Sequence, residues 1–188
     1  GQVELERAVR VSCNVYFYQV GLRLGSERLV SWGRRFGFGR PVGIELPGEA
    51  AGSLPDQVDA RNLAIGQGPL MVTPLQAARL AALVATGGRM PELHLVAWPR
   101  SAPPAQVDLG LEAGHMALLR RALTGAVNEP DGTGFSTVRS PLVCIAGKTG
   151  SAQTGSPLPE QERPTHSWFV GFAPADRPQI AVAVVFEY

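Results

Sequence analysis

Lysine is almost absent from this chain. Of its 17 basic residues only Lys148 is a lysine, and the arginines are scattered rather than clustered. A net charge of +1 and a pI near 8.1 supply no field of one sign that would draw nucleic acid or a membrane surface. The pairs Arg34–Arg35 and Arg120–Arg121 read as solvated helix faces. Cysteine is as scarce: Cys13 and Cys144 fix no compartment, and a bond between them is not expected. The histidines His94, His115 and His166 stand far apart without carboxylate or cysteine partners at ligand spacing, so neither metal nor other cofactor is expected. No apolar run reaches the roughly 18 residues that span a bilayer, and no signal-peptide pattern opens the chain. Aromatic residues make up 7% of the chain, and Trp168, Phe169 and Phe172 read as sheet and core residues because no basic groove accompanies them.

What is present is ordinary for a folded domain: 188 residues, 45% hydrophobic, with mean hydropathy +0.04. The first third reads as short helices, one ending near Ser12, one over Val15–Leu24 stopped by Gly25, and one from Ser26 to Phe36. Glycine and proline break up residues 37–55 into a loop. Thr73-Pro74-Leu75-Gln76 opens the clearest helix, with Thr as N-cap, Pro at the first helical position and Gln closing a capping box. Its apolar positions Leu80, Leu83 and Val84 mark a core helix that ends at Gly87-Gly88. A strand is expected over Leu93–Trp98 and a second long helix over Leu111–Val127. Strands follow at Leu142–Thr154, His166–Ala173 and Gln179–Phe186, with a turn over Ala173–Pro178 and a proline-rich connection over Gly155–Pro164. Helices first and an antiparallel run afterwards predict an α+β domain, helices packed on a sheet, spanning residues 1–188 without a linker or internal repeat.

Lys148 stands in Ile145-Ala146-Gly147-Lys148-Thr149-Gly150-Ser151. A phosphate loop would need a glycine where Leu142 stands, and leucine cannot make that tight cradle. The other reading is Lys-Thr-Gly of the penicillin-recognising serine enzymes, three residues that are weakly specific until joined by others. Ser12-Cys13-Asn14 supplies a Ser-x-Asn triplet. With it come Phe36-Gly37-Phe38-Gly39, Ile44 to Glu49, Ile65-Gly66-Gln67-Gly68, Thr73 to Gln76, Gly132-Thr133-Gly134, Gly147 to Gln153 and Trp168 to Pro174. In this order, over nearly the whole chain, they resemble the transpeptidase domain of class B penicillin-binding proteins. The stretch over Phe36–Pro55 and the Ile65–Gln76 segment are most similar to the cell-elongation type, with the division type close behind.

The resemblance implies the penicillin-binding protein and serine β-lactamase-like fold and a peptidoglycan D,D-transpeptidase acting through a serine acyl-enzyme. The family's nucleophile is the serine of Ser-x-x-Lys. Three residues before the lone lysine stands Ile145, so that motif is nowhere in these residues. It is expected upstream of Gly1, which makes the chain the C-terminal part of the domain, inert alone, and lacking the family's terminal helix as well. The resemblance also implies an extracytoplasmic location with an upstream anchor. Expected partners are the stem peptide, β-lactams, the missing N-terminal part and a cell-wall glycosyltransferase.

For this acyl transfer Lys148 offers a cation for the substrate carboxylate, and the Thr149 hydroxyl can donate to the same group. Gly150 lets a peptide lie along the strand as an added strand. By resemblance Ser12 shuttles the proton to the leaving group, Asn14 bonds the substrate backbone, and the Ser151 N–H is one of two oxyanion donors. Taken singly, Ser12 and Asn14 are a helix cap pair, Lys148 a solvated strand lysine, and Thr149-Gly150 turn chemistry. Gly66-Gln67-Gly68 reads as a tight turn. Two other functions fit the same motifs: a non-catalytic β-lactam or peptide-binding sensor or scaffold, and a serine β-lactamase or carboxypeptidase, which needs a water-activating base that no residue here supplies.

Overall fold

In a computed structural model, which describes residues 4–96, 105–154 and 164–187, the opening amphipathic run forms α1 (Leu5–Arg10) and buries Ala8 and Val9. α2 (Asn14–Leu24) ends at Gly25, whose φ of 77° lies in the left-handed region that side chains disfavour. α3 (Ser26–Arg35) follows at once. Residues 37–55 form the expected loop, joined to the rest by an antiparallel bridge between Ser53 and Met71. α4 (Ala60–Ala64) is a short helix that apolar periodicity does not announce. Asp59 caps it, its carboxylate accepting from the N–H groups of Arg61 and Asn62 at 2.9 and 3.1 Å. α4 lies tight against α2, because Gly21 has no Cβ: one there would collide with the Ala60 carbonyl and come within 2.8 Å of the Ala64 Cβ.

α5 (Pro74–Ala85) has the expected capping box, with Thr73 Oγ1 accepting from the Gln76 N–H at 3.2 Å and Gln76 Oε1 accepting from the Thr73 N–H at 2.9 Å. Gln76 is 2% exposed. Its Nε2 donates to the carbonyls of Arg40 at 2.8 Å, Ala51 at 2.9 Å and Gly37 at 3.4 Å, so one buried amide holds both ends of the 37–55 loop on α5.

The strand expected over Leu93–Trp98 is corrected: β1 is Arg89–Pro91, paired antiparallel with β2 (Gln106–Asp108). Leu95 gives its N–H to the Glu45 carboxylate at 2.8 Å, beside His94 Nδ1 at 2.9 Å. An acid 50 residues upstream thus takes the donor that a strand ladder would have used. The Leu95 N–H first, and His94 second, hold the Glu45 carboxyl down to about 2. Residues 97 and 98 lie outside the described residues, as does all of the Gly155–Pro164 connection except Pro164.

α6 (Ala113–Asn128) leads to the meander β3 (Ala146–Gln153), β4 (Thr165–Ala173) and β5 (Ile180–Phe186), antiparallel in that order. β3 begins later than the expected Leu142. The Cys144 carbonyl accepts from the Ala175 N–H and the Ile145 carbonyl from Asn128 Nδ2, each at 2.8 Å, which ties those residues to the β4–β5 turn and α6 instead. One sheet face puts Ala146 and Phe172 into a core with Val84 of α5, Ala175, and Leu119 and Leu123 of α6. On the other face the Phe169 ring lies against Gly147 and Gly171. Along β5, Ile180, Val184 and Phe186 are 60%, 57% and 65% exposed. The helices on a sheet are the α+β architecture read from the sequence.

Replacing Gln76 with leucine keeps the helix but leaves the Thr73 N–H and the loop carbonyls unpaired. The expected cost is about 2–4 kcal/mol, seen as a lower urea midpoint with an unchanged m-value. An unshifted midpoint would show that the loop is held by other contacts.

Candidate active site

Between α1 and α2 the chain turns at Ser12, whose φ of 55° is the only positive value of a non-glycine among the described residues. This turn brings Ser12 and Asn14 to the start of α2. Cys13 is the N-cap, and no side chain caps this end of the helix, so the cap-pair reading of Ser12 and Asn14 has no hydrogen bond behind it. Both Cys13 and Cys144 are free thiols.

Lys148, Thr149, Gly150 and Ser151 lie on β3, in register with Val170, Phe169, Trp168 and Ser167 of β4. Ser12, Asn14, Lys148, Thr149, Gly150 and Ser151 all line one cleft of about 450 Å3, so the structure brings together every predicted site residue. Lys148 Nζ donates to the Thr149 carbonyl at 2.9 Å, and Thr149 Oγ1 donates to Thr133 Oγ1 at 2.7 Å. Among the described residues no carboxylate lines the cleft, and Lys148 is the one charged side chain that does. That arrangement suits a ligand bearing a carboxylate. Among the described residues no group of three or more His, Cys, Asp or Glu could hold a metal.

Thr133 and Gln67 are the residues that sequence reasoning passed over. Thr133 stands in a turn folded back on α6, where the Gly134 N–H donates to the Ala126 carbonyl at 2.8 Å and an Arg10–Asp131 ion pair of 3.0 Å ties in α1. Its Gly132-Thr133-Gly134 setting was the available signal. Gln67 does sit in a turn, flanked by Gly66 and Gly68 with φ of 73° and 88°, yet its side chain crosses to β3. Its Nε2 donates to the Ser151 carbonyl at 2.8 Å, and its Oε1 accepts from the Gln153 N–H at 3.4 Å.

β3 is the outer strand of its sheet, so alternate residues turn both backbone groups away from β4. The Gln67 contacts identify Ser151 and Gln153 as that set, and the alternation adds Thr149. The Ser151 N–H therefore faces the open edge. Beyond Gln67 the groove continues along β3 as a second space of about 670 Å3, bordered by Tyr18, Asn62, Gln153, Thr154 and Thr165. Asn14, Ile65, Gln67 and Ser151 border both.

Comparison with known proteins gives a match of residues 1–188 to the family described as penicillin binding protein transpeptidase domain. The peptidoglycan D,D-transpeptidase MrdA of Acinetobacter baumannii is 33% identical over 218 residues, covering 100% of this chain and 32% of that protein. PbpA of Mycobacterium tuberculosis, also a peptidoglycan D,D-transpeptidase, is 32% identical over 198 residues, covering 98% of this chain and 39% of that protein. Among solved structures, the complex between penicillin-binding protein PBP2 and MreC from Helicobacter pylori superposes with a TM-score of 0.85 at 32% identity, covering 100% of this chain and 37% of that one. Pseudomonas aeruginosa PBP2 in complex with WCK 5153 gives 0.85 at 34% identity, covering 100% and 43%. The chain spans about a third of the length of the curated relatives it matches.

Burial of the Lys148 ammonium lowers its pKa from the ordinary 10.5. In the window between the folded value and 10.5 the unfolded chain binds more protons, so stability rises with pH there. Lys148→Met removes the desolvation cost. The variant is expected to be at least as stable as the parent at pH 7, and its stability should no longer climb across that alkaline window in denaturant titrations. A destabilised Lys148→Met at neutral pH would mean that the ammonium holds the cleft together.

Proposed function

The chain belongs to the penicillin-binding protein transpeptidase domain family, and on that premise we propose that it forms the lysine side of the active site of a peptidoglycan D,D-transpeptidase of the class B, cell-elongation kind. What carries the reading is one cleft lined by Ser12 and Asn14 from one end of the chain and Lys148, Thr149, Gly150 and Ser151 from the other. Residues 1–188 act as one part of a single domain, and the serine nucleophile comes from upstream.

The substrate stem peptide adds to the free edge of β3 by main-chain hydrogen bonds. Its terminal carboxylate meets the Lys148 ammonium and the Thr149 hydroxyl, whose proton turns from Thr133 Oγ1 to the ligand. The upstream serine attacks the penultimate carbonyl, and the Ser151 N–H faces the oxygen that becomes negative, a place where removing one donor costs about a hundred- to a thousandfold in rate. The proton given up by the attacking serine reaches the leaving amine through Ser12, with Lys148 keeping the Ser12 hydroxyl polarised and Asn14 holding the substrate backbone, and the amine of a second stem peptide then displaces the serine. β-Lactams enter by the same route and stay as the acyl-enzyme. The protein works outside the cytoplasmic membrane on an upstream anchor, beside a cell-wall glycosyltransferase; the described residues contain no helix long and apolar enough to cross a membrane.

Intact mass before and after incubation with penicillin tests this. The full-length protein is expected to gain one β-lactam mass and residues 1–188 alone none, while Lys148→Ala in the full-length protein should slow acylation at least about a hundredfold. A full-length protein that gains no mass would favour a non-catalytic binding module; labelling of a serine within residues 1–188 would sink the assignment of the nucleophile.

A further inference from the structure

The free edge of β3 is not free along its whole length. There the Ser151 carbonyl and the Gln153 N–H, each turned outward, are already paired, by the two ends of the Gln67 carboxamide. The amide N–H and C=O of that side chain stand in for one rung of a strand, donating to the Ser151 carbonyl at 2.8 Å and accepting from the Gln153 N–H at 3.4 Å. A peptide that adds to β3 at Thr149 and runs on toward Gln153 needs the same Ser151 carbonyl. Ligand and Gln67 Nε2 then compete for it, because both present N–H donors to the same side of one oxygen.

We propose that Gln67 is an intramolecular latch that occupies the ligand's place on β3 and must swing aside before a peptide or β-lactam amide can bind. The inference rests on the proposed transpeptidase reading for the identity of its ligand, though the contact itself does not. Three observations favour a latch over a fixed wall. The Gln67 backbone is anchored without help from β3, since its N–H donates to the Asn62 carbonyl at 2.9 Å. Release therefore requires side-chain rotation alone, a fast motion that leaves the loop in place. The groove is also open on both sides of the carboxamide, with about 450 Å3 on the Lys148 side and about 670 Å3 on the Gln153 side, so a released side chain has room and an incoming strand has a continuous track. Among the described residues that far space is bordered mainly by amides and hydroxyls, with Ile65, which suits a stretch of peptide backbone.

The experiment uses the full-length protein as wild type, Gln67→Ala and Gln67→Met. Methionine keeps the length of the side chain and adds no charge, but has neither an N–H for the Ser151 carbonyl nor an oxygen for the Gln153 N–H, so it controls for lost packing. Acylation by a fluorescent penicillin is resolved into the dissociation constant of the first complex and the rate of the bond-forming step. Removing a neutral hydrogen-bonded competitor is expected to lower that dissociation constant about three- to tenfold in both variants, with the bond-forming rate unchanged. Without ligand, hydrogen exchange in the segment containing Ser151 to Gln153 should quicken in both.

A raised dissociation constant or a slowed bond-forming step would overturn the latch and make Gln67 a substrate contact. If no form is acylated, the transpeptidase reading fails, and the exchange measurement still decides the latch: quicker exchange in the variants upholds the contact, and unchanged exchange overturns it.

Discussion

A single buried amide sets the frame on which the cleft is built. Gln76 closes the capping box of α5 and at the same time gathers the carbonyls of Gly37, Arg40 and Ala51. The loop held this way passes through Gly52, where a Cβ would clash with the Met71 carbonyl, and through Ser53, which bridges to Met71. Met71 ends the segment that contains α4 and Gln67. The position of the cleft's upper wall thus follows, link by link, from one side chain that nowhere touches the cleft. A hydroxyl or a hydrocarbon could not replace it, because only a primary amide both accepts from Thr73 and donates to several carbonyls.

The opposite wall depends on close backbone approach. Gly147 and Gly171 meet under the Phe169 ring, and at either position a Cβ would run into that ring. The Phe169 ring can therefore lie over β3 just before Lys148, and β3 and β4 stay in register from there to Gln153. The lysine so placed lies half-buried, with no carboxylate among the described residues that line the cleft, and burial lowers its pKa. The sheet packs on α5 and α6 through the apolar cluster of Val84, Ala146, Phe172, Leu119 and Leu123, with Asn128 of α6 bonding the Ile145 carbonyl just before β3.

How far the sequence spoke for this structure differs by kind of interaction. Thr73-Pro74-Leu75-Gln76 was legible because a capping box is local, and β4 and β5 because each is an apolar run bounded by turn residues, whereas the run Leu142–Ala146 that announced β3 lies almost wholly before that strand. The grouping of Ser12, Asn14 and Lys148 could be reached through family resemblance, since no periodicity links the two ends of a chain. Leu93–Trp98 went astray because strand propensity is silent about a distant carboxylate such as Glu45 competing for the Leu95 N–H. α4 is too short to carry a helical period, and its one sign was Asp59. Gln67 was invisible for a different reason: its turn was read correctly, but a long side chain reaching 84 residues along the chain to imitate a strand leaves no local mark.

The connectivity of the sheet has a consequence for the order in which the molecule assembles and comes apart. β3, β4 and β5 join by consecutive hairpins, so their pairing closes short loops, whereas the cleft needs Ser12 and Asn14 to meet Lys148 across most of the chain. Long-range closure costs more chain entropy and comes late. The meander can thus stand while α1 and α2 are still detached, so a disturbance that frees α1 and α2 takes Ser12 and Asn14 from the cleft while the strand bearing the lysine keeps its pairing with β4.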